Sequence, residues 1–459
     1  MRPTSLAEVA AMVAGDLIGD SEQPVLGAAA DNRRVSPGDL FVAIRGDRVD
    51  GHDFAESALA NGAVATLAQH EVPGPHILVA DTVAALGRLA NRYLETLEDT
   101  RVVAVTGSSG KTTTKDLLAS VLRHHGPVVA PVGSFNTEVG LPLTVLQADD
   151  ATRTLVLEMG ARGTGHIDYL CSIARPDIAV MLNVGSAHLG EFGDRATLAA
   201  AKAEIVSSLS PRGVAVLNGD DPLVTDVALP DGVERVRFGL GEVCDLRITD
   251  LELDNAARPC FTMSWQGQQA AVQLRLHGEH NAHNAAAVAA VAVSMGMPLS
   301  SVAEALAQAG PASPHRMDVR VSPTGITVVN DAYNANPESM AAALKTLARL
   351  AEGAGRSWAV LGEMLELGPD SLTEHDRIGR LAVRLDIDRL VVIGAGARPM
   401  YLGAAQEGSW GDEAAWVPDV AEALRLVESG VREGDVVLVK ASRAVGLESV
   451  AERLLGATP

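Results

Sequence analysis

Three cysteines in 459 residues, Cys171, Cys244 and Cys260, are too few and too scattered for a disulfide framework or a zinc site, because the number is odd and no C-x-x-C pair occurs. Cysteine usage of this kind fits a reducing compartment, and a cytoplasmic protein is expected. No stretch approaches the ~18 uninterrupted apolar residues of a membrane span. The opening run, MRPTSLAEVAAMVAGDL, has early acids where a signal peptide has its apolar core. Positive charge is also scarce: 37 Lys and Arg stand against 58 Asp and Glu, a formal net charge of −21. Such a chain repels nucleic acid as a whole, so anionic ligands must be held by locally concentrated donors. Apolar residues are abundant at 47%, ample for several buried cores. The length suggests roughly three domains.

Hydrophobic patterning divides the chain in three, with no internal repeat. Up to about residue 98, short apolar runs (40–44, 76–80) alternate with amphipathic helical stretches such as 54–61 and 84–97. The polar patch Glu98-Asp99-Thr100-Arg101 marks the first boundary. Buried-type strands at 101–105, 154–158, 178–183 and 214–218 then alternate with helical segments, which implies a parallel sheet covered on both faces. The turn-rich run from Gly310 to Arg316 marks the second boundary. Strands at 326–330, 358–361, 390–393 and 436–439 then alternate with helices in a Rossmann-like pattern. The expected architecture is α/β in three domains: 1–98, a central phosphate-loop parallel-sheet domain over 99–312, and a Rossmann-like domain over 313–459.

The run VVAVTGSSGKTTTKDLL reads as strand, glycine loop, then helix. Gly107 and Gly110 let the backbone turn and bring its N–H groups close to a polyphosphate. The following helix adds the partial positive charge of its N-terminus. Lys111 supplies a mobile cation for the β- and γ-phosphates, and Thr112 a hydroxyl for Mg²⁺. The motif is a shortened G-x-x-G-K-T; an ordinary Gly/Ser-rich turn is the bland alternative. By contrast, the segment from Gly394 to Pro399 carries proline at the third glycine position of a dinucleotide fingerprint and reads as a plain turn.

Other groups gather at the predicted strand ends. Glu158 closes a buried strand beside the glycine loop, where a lone carboxylate suits Mg²⁺. His188 comes after the 178–183 strand, and Lys202 sits within the helical run LAAAKAEIVSSL; most such residues are structural or merely solvated. Asn281 opens an alanine-rich helix, with an amide able to bond a base. The run containing Asp331, Asn334 and Asn336 comes after a strand and offers a carboxylate and amides for a ribose or adenine, although Asn336 before Pro337 also reads as a helix cap.

In order along the chain, TGSSGKTTTK, LEMGARGTGHI, NVGSAHLGEFG, AKAEI, GEHNAHNAAA, HRM and NDAYNANPESM resemble the motifs of the Mur ligases. DNRRVSPGDLFVAIRGDRVDGHDF, VLGEMLELGPDSLTEHDRIG and DVVLVKASRAVGLE extend the resemblance over nearly the whole chain. It is nearest to the branch that adds D-alanyl-D-alanine to UDP-N-acetylmuramoyl-tripeptide. The resemblance implies an ATP- and Mg²⁺-dependent carbon–nitrogen ligase of peptidoglycan precursor synthesis, expected to be monomeric, with those two molecules as partners.

Residue by residue, the resemblance implies that Gly107, Ser108, Ser109, Gly110, Lys111, Thr112 and Thr113 bind ATP. Asn281 and Asp331 would contact adenine and ribose, and Arg316 the γ-phosphate. Thr112, Glu158, His188 and Lys202, the last as a carbamate, would hold magnesium, and Lys111, Lys202, His188 and Arg316 would serve catalysis. Asp31, Asn32, Arg33, Asp50, Gly51, His52 and Asn136 match the UDP-substrate segments. Asn32 stands where the family often has Ser, and Thr137 where it has a second Asn. Asn334, Asn336, Ser442 and Arg443 are the expected dipeptide contacts. Sister ligases adding a diamino acid carry a D-x-P-R type segment in the last domain, and none occurs here. The remaining rivals are a folate-extending ligase, a phosphate-loop kinase releasing a stable phosphorylated product, and a nucleotide-gated binding protein without turnover. Closure of the outer domains about hinges near Arg101 and residues 311–316 is expected, to exclude water from an acyl phosphate.

Overall fold

The computed structural model describes residues 1–456 apart from 47, 187, 188 and 410. Its main sheets have five, nine and six strands and succeed one another along the chain. In the first sheet, Gly27–Ala29, Asp39–Val42, Ala65–Ala68 and His76–Leu78 run parallel, and Asp16–Ile18 closes the edge antiparallel.

The central sheet is parallel from Val128–Val129 through Thr154–Glu158, Arg101–Thr106, Ile178–Met181, Val214–Asn218 and Glu234–Gly239 to Leu246–Leu253. It then departs from the expected pattern. Pro259–Trp265 and Gln268–Gln273 extend it antiparallel. Their hairpin turns at Gln266 and Gly267, which both have positive φ, as a tight two-residue hairpin requires. The third sheet is parallel over Thr327–Asn330, Val436–Lys440, Ser357–Leu361, Arg389–Ile393 and Ala414–Val417, with Asp318–Val321 antiparallel at one edge.

The junctions differ in kind. Helix Thr82–Leu94 buries Ala85, Leu86, Leu89, Ala90 and Tyr93 in an apolar cluster that continues into Leu141, Val145, Leu157, Ile167 and Leu170 of the central unit. The Tyr93 hydroxyl donates to the Ala148 carbonyl at 2.8 Å and accepts from the Arg2 N–H, also at 2.8 Å. One core therefore spans the first and second units. The third unit has separate clusters on the two faces of its own sheet. It meets the central unit through polar contacts: Arg316 to Ser134, Asn336 to Ser108, Glu338 to Ser186, and the Gly190 N–H to the Glu366 carbonyl. Only the second of the two expected hinges thus lies at a junction free of a shared core.

Candidate active site

Strands 101–106, 154–158 and 178–181 are adjacent and parallel, so the loops leaving their carboxyl ends share one edge of the sheet. Gly110 caps helix Lys111–Leu122 at φ 81°. A Cβ there would stand 2.5 Å from Asn284 Oδ1, and one at Gly107 2.9 Å from Leu182 Cβ, so this turn has room only for glycine. Asn183, just beyond the neighbouring strand, steadies the loop. Its Oδ1 accepts from the Ser108 and Ser109 N–H groups, each at 3.0 Å.

Lys111 Nζ donates to the Gly107 carbonyl at 2.7 Å. Burial pushes its pKa below the ordinary lysine value; Glu158 opposes that shift and Arg316 adds to it. The Glu158 carboxylate is 1% exposed. Its Oε2 accepts from Thr112 Oγ1 at 2.7 Å and its Oε1 from Asn136 Nδ2 at 2.8 Å. Among the described residues no cation forms an ion pair with it. Asn136, expected beside the UDP segments, stands here at the phosphate edge. Lys202, also 1% exposed, has its ammonium held well below the ordinary value, first by burial and then by Lys111. No hydrogen bond or ion pair joins Lys202 to another described residue. His188 lies outside the described residues.

A cavity of about 830 Å³ opens from this edge between the second and third units. Its lining includes Asn281, whose Oδ1 accepts from Asn284 Nδ2 at 2.9 Å, and Asp331, whose Oδ2 pairs with the buried Lys440 ammonium at 2.6 Å. His280 also lines it, its ring pushed down to about 4 by burial and its buried Nδ1 without a hydrogen-bond partner among the described residues. Arg316 reaches over from the third unit to Ser134 Oγ at 2.9 Å. Tyr333 underlies two guanidinium groups, Arg316 at 4.0 Å and Arg443 at 4.9 Å from its ring centre. Thr113, Asn334, Asn336, Ser442 and Arg443 also line it. Asn336 has the expected capping role, closing helix Pro337–Ala351 in a capping box with Ser339, and its Nδ2 donates to the Ser108 carbonyl at 3.3 Å.

Asp31, Asn32, Arg33, Asp50, Gly51 and His52 do not line this cavity. They come after the adjacent parallel strands Gly27–Ala29 and Asp39–Val42, so both groups share one edge of the first sheet. Arg33 grips Asp31 through two nitrogens and holds its carboxyl down to about 2. The Gln69 N–H donates to His52 Nε2 at 3.0 Å, so His52 carries its proton on Nδ1 and donates to Asp50. Both ring nitrogens are engaged, which leaves no lone pair for a metal although His70 stacks nearby. Arg34 lies over Phe135 at 5.8 Å, linking this edge to the loop that carries Ser134 and Asn136.

Comparison with known proteins matches residues 27–94 to the Mur ligase family catalytic domain, 105–292 to the Mur ligase middle domain, and 315–443 to the Mur ligase glutamate ligase domain. The UDP-N-acetylmuramoyl-tripeptide–D-alanyl-D-alanine ligase of Mycobacterium leprae (strain TN) is 45% identical, over 98% of both chains. The chain belongs to the Mur ligase family. Among solved structures, MurF from Acinetobacter baumannii superposes with a TM-score of 0.89 at 30% identity over 99% of both chains. MurF from Thermotoga maritima in complex with ADP gives 0.80 at 34%, covering 94% of this chain and 97% of that one.

In this Mur ligase the phosphate loop, Glu158, Asn281, Arg316 and Asp331 line one cavity, and several contacts there were not singled out in the sequence. Asn183 ends an apolar strand as Glu158 does, a signal of the same kind. Ser134, Lys440 and Glu338 sit in runs whose local pattern is ordinary. Glu338 accepts from both the Ser186 N–H (2.9 Å) and hydroxyl (3.0 Å) across the junction.

Proposed function

We propose that this Mur ligase joins D-alanyl-D-alanine to UDP-N-acetylmuramoyl-tripeptide with consumption of ATP, yielding the pentapeptide precursor, ADP and phosphate. The observation that carries the reading is 45% identity over the whole chain to a ligase named for that reaction, together with a phosphate loop facing one interdomain cavity. The terminal carboxylate of the tripeptide is a poor electrophile until its oxygen becomes a leaving group. It takes the γ-phosphoryl group to give an acyl phosphate; the amine of the dipeptide attacks the carbonyl carbon, and the C–O bond to phosphate breaks.

Lys111 and Arg316 neutralise and orient the phosphates, the main work in phosphoryl transfer. The Ser108 and Ser109 amides and the N-terminus of helix Lys111–Leu122 supply donors. Asn281 and Asp331 take the nucleoside end. A buried carboxylate with no ion-pair partner among the described residues fits a hard cation, and Glu158 and Thr112, with His188 and a carbamylated Lys202, are the proposed magnesium ligands. Magnesium at that edge would offset phosphate charge. Asp31 to Arg33 and Asp50 to His52 bind the UDP end, and Asn334, Asn336, Ser442 and Arg443 receive the dipeptide. The three functional units are residues 1–98, 99–312 and 313–459, in a monomeric cytoplasmic enzyme.

Mass spectrometry of the product tests this. A pentapeptide mass and ADP release that both require the tripeptide and D-alanyl-D-alanine are expected. A stable phosphorylated product, or a free diamino acid accepted in place of the dipeptide, would contradict it.

A further inference from the structure

Helix Lys111–Leu122 carries a second lysine one turn beyond Lys111. Lys115 is 1% exposed, an unusual place for an ammonium unless it is paired. Its ammonium donates to the Pro131 carbonyl at 2.6 Å and the Gly133 carbonyl at 3.2 Å, and forms an ion pair with Asp116 Oδ1 at 2.6 Å. Both carbonyl acceptors belong to one loop outside the helix. That loop leaves the two-residue strand Val128–Val129. Val132, between the two carbonyls, is 82% exposed, so little apolar contact fixes the turn.

The next residues of the same loop reach the phosphate edge. Ser134 Oγ bonds Thr112 Oγ1 at 2.9 Å and accepts from Arg316 at 2.9 Å, and Asn136 donates to Glu158. A displacement of residues 131–133 is thus transmitted to Thr112, Glu158 and Arg316 together.

We propose that Lys115 is a positioning residue: its buried ammonium clamps the 131–133 carbonyls and so sets Ser134 and Asn136 against the nucleotide-binding edge. The inference rests on the ligase reading of this site. The role of Lys115 differs from that of Lys111, because the Lys115 ammonium is buried against two loop carbonyls and the Asp116 carboxylate. Register supports this division, since four residues along a helix place the two lysines on one face, one turn apart.

The test uses the full-length enzyme with Lys115→Met combined with Asp116→Asn, which removes both charges and strands neither. The expected result is a 30- to 100-fold lower kcat with KM for the UDP-tripeptide within threefold. Propylammonium should restore part of the kcat of Lys115→Ala, which a merely structural loss would not permit. A double-mutant cycle with Ser134→Ala is expected to be strongly non-additive, because both changes act through the same loop. Unchanged kcat, or multiplicative effects in the cycle, would overturn the proposal.

If the Lys115 variants do not accumulate, Gly133→Ala decides. Gly133 sits at φ +75° with open space around it, so alanine strains the loop and leaves the core alone. Reduced kcat with an unchanged melting temperature is expected there, and wild-type kcat would overturn the proposal. Calorimetric ADP binding, measured in parallel, is read whether or not peptide is ligated, so failure of the ligase reading is seen separately.

Discussion

The Thr112 hydroxyl donates to Glu158 Oε2 at 2.7 Å, joining residues 46 apart in sequence at the carboxyl edge of one sheet. The contact couples the first turn of the phosphate-loop helix to a buried carboxylate whose other oxygen is held by Asn136. Replacing Glu158 by Gln keeps the shape and removes the charge. Activity is expected to fall at least 100-fold, about 2.7 kcal/mol, and the magnesium concentration for half-maximal rate to rise. An unchanged magnesium profile would remove Glu158 from the metal site.

Among the described residues, Lys111 is the cation that bonds the Gly107 carbonyl of the phosphate loop. Lys111→Met should lower kcat by at least 1000-fold, about 4 kcal/mol of transition-state stabilisation. Survival of activity within about tenfold would refute its role.

Lys202 is buried, and its ammonium is held well below the ordinary value by that burial and by Lys111. A neutral amine adds CO₂ and releases a proton, giving a carbamate that acid reverses. Labelled bicarbonate should therefore give a carbamate signal by ¹³C NMR that disappears on acidification. Lys202→Ala should be inactive and partly restored by short carboxylic acids. The absence of both effects would exclude the carbamate.

Asp331 pairs at 2.6 Å with Lys440, an ammonium that is 2% exposed. Asp331→Ala leaves that charge uncompensated and should cost about 3–5 kcal/mol of stability. Denaturant midpoints check this, and Lys440→Met in the same background should recover stability without recovering ATP affinity.

His280 titrates at about 4 in the fold against 6.5 ordinarily, because burial disfavours its cation. Between those values the unfolded chain binds the extra proton, so stability rises with pH across the window. It is complete above pH 6.5 and falls by up to about 3 kcal/mol toward pH 4. His280→Gln should flatten that part of the stability–pH curve; an unaltered curve would place the titration elsewhere.

The parallel alternation, the glycine loop and the strand-end carboxylate were legible because each is a local pattern set by strand burial and backbone freedom. The hairpin over Pro259–Trp265 and Gln268–Gln273 was missed, although Phe261 and Met263 alternate with less buried neighbours and Gln-Gly marks its turn. The contacts of Ser134 and Glu338 were out of reach for another reason. Ser134 meets Arg316 across 182 residues and Glu338 meets Ser186 across 152, so only the packing of whole units creates them. The same holds for the junctions: nothing local in helix Thr82–Leu94 reveals that its apolar face closes a core shared by two units. Scattering with and without all ligands should accordingly show the third unit moving against the first two held together.

An acyl phosphate is the intermediate on which the proposed chemistry turns. The decisive measurement uses UDP-N-acetylmuramoyl-tripeptide with both oxygens of its reacting carboxylate replaced by ¹⁸O, and mass analysis of the phosphate released during ligation. One ¹⁸O in each phosphate, with one retained in the new amide, is the predicted result. Unlabelled phosphate accompanying amide formation would contradict the mechanism.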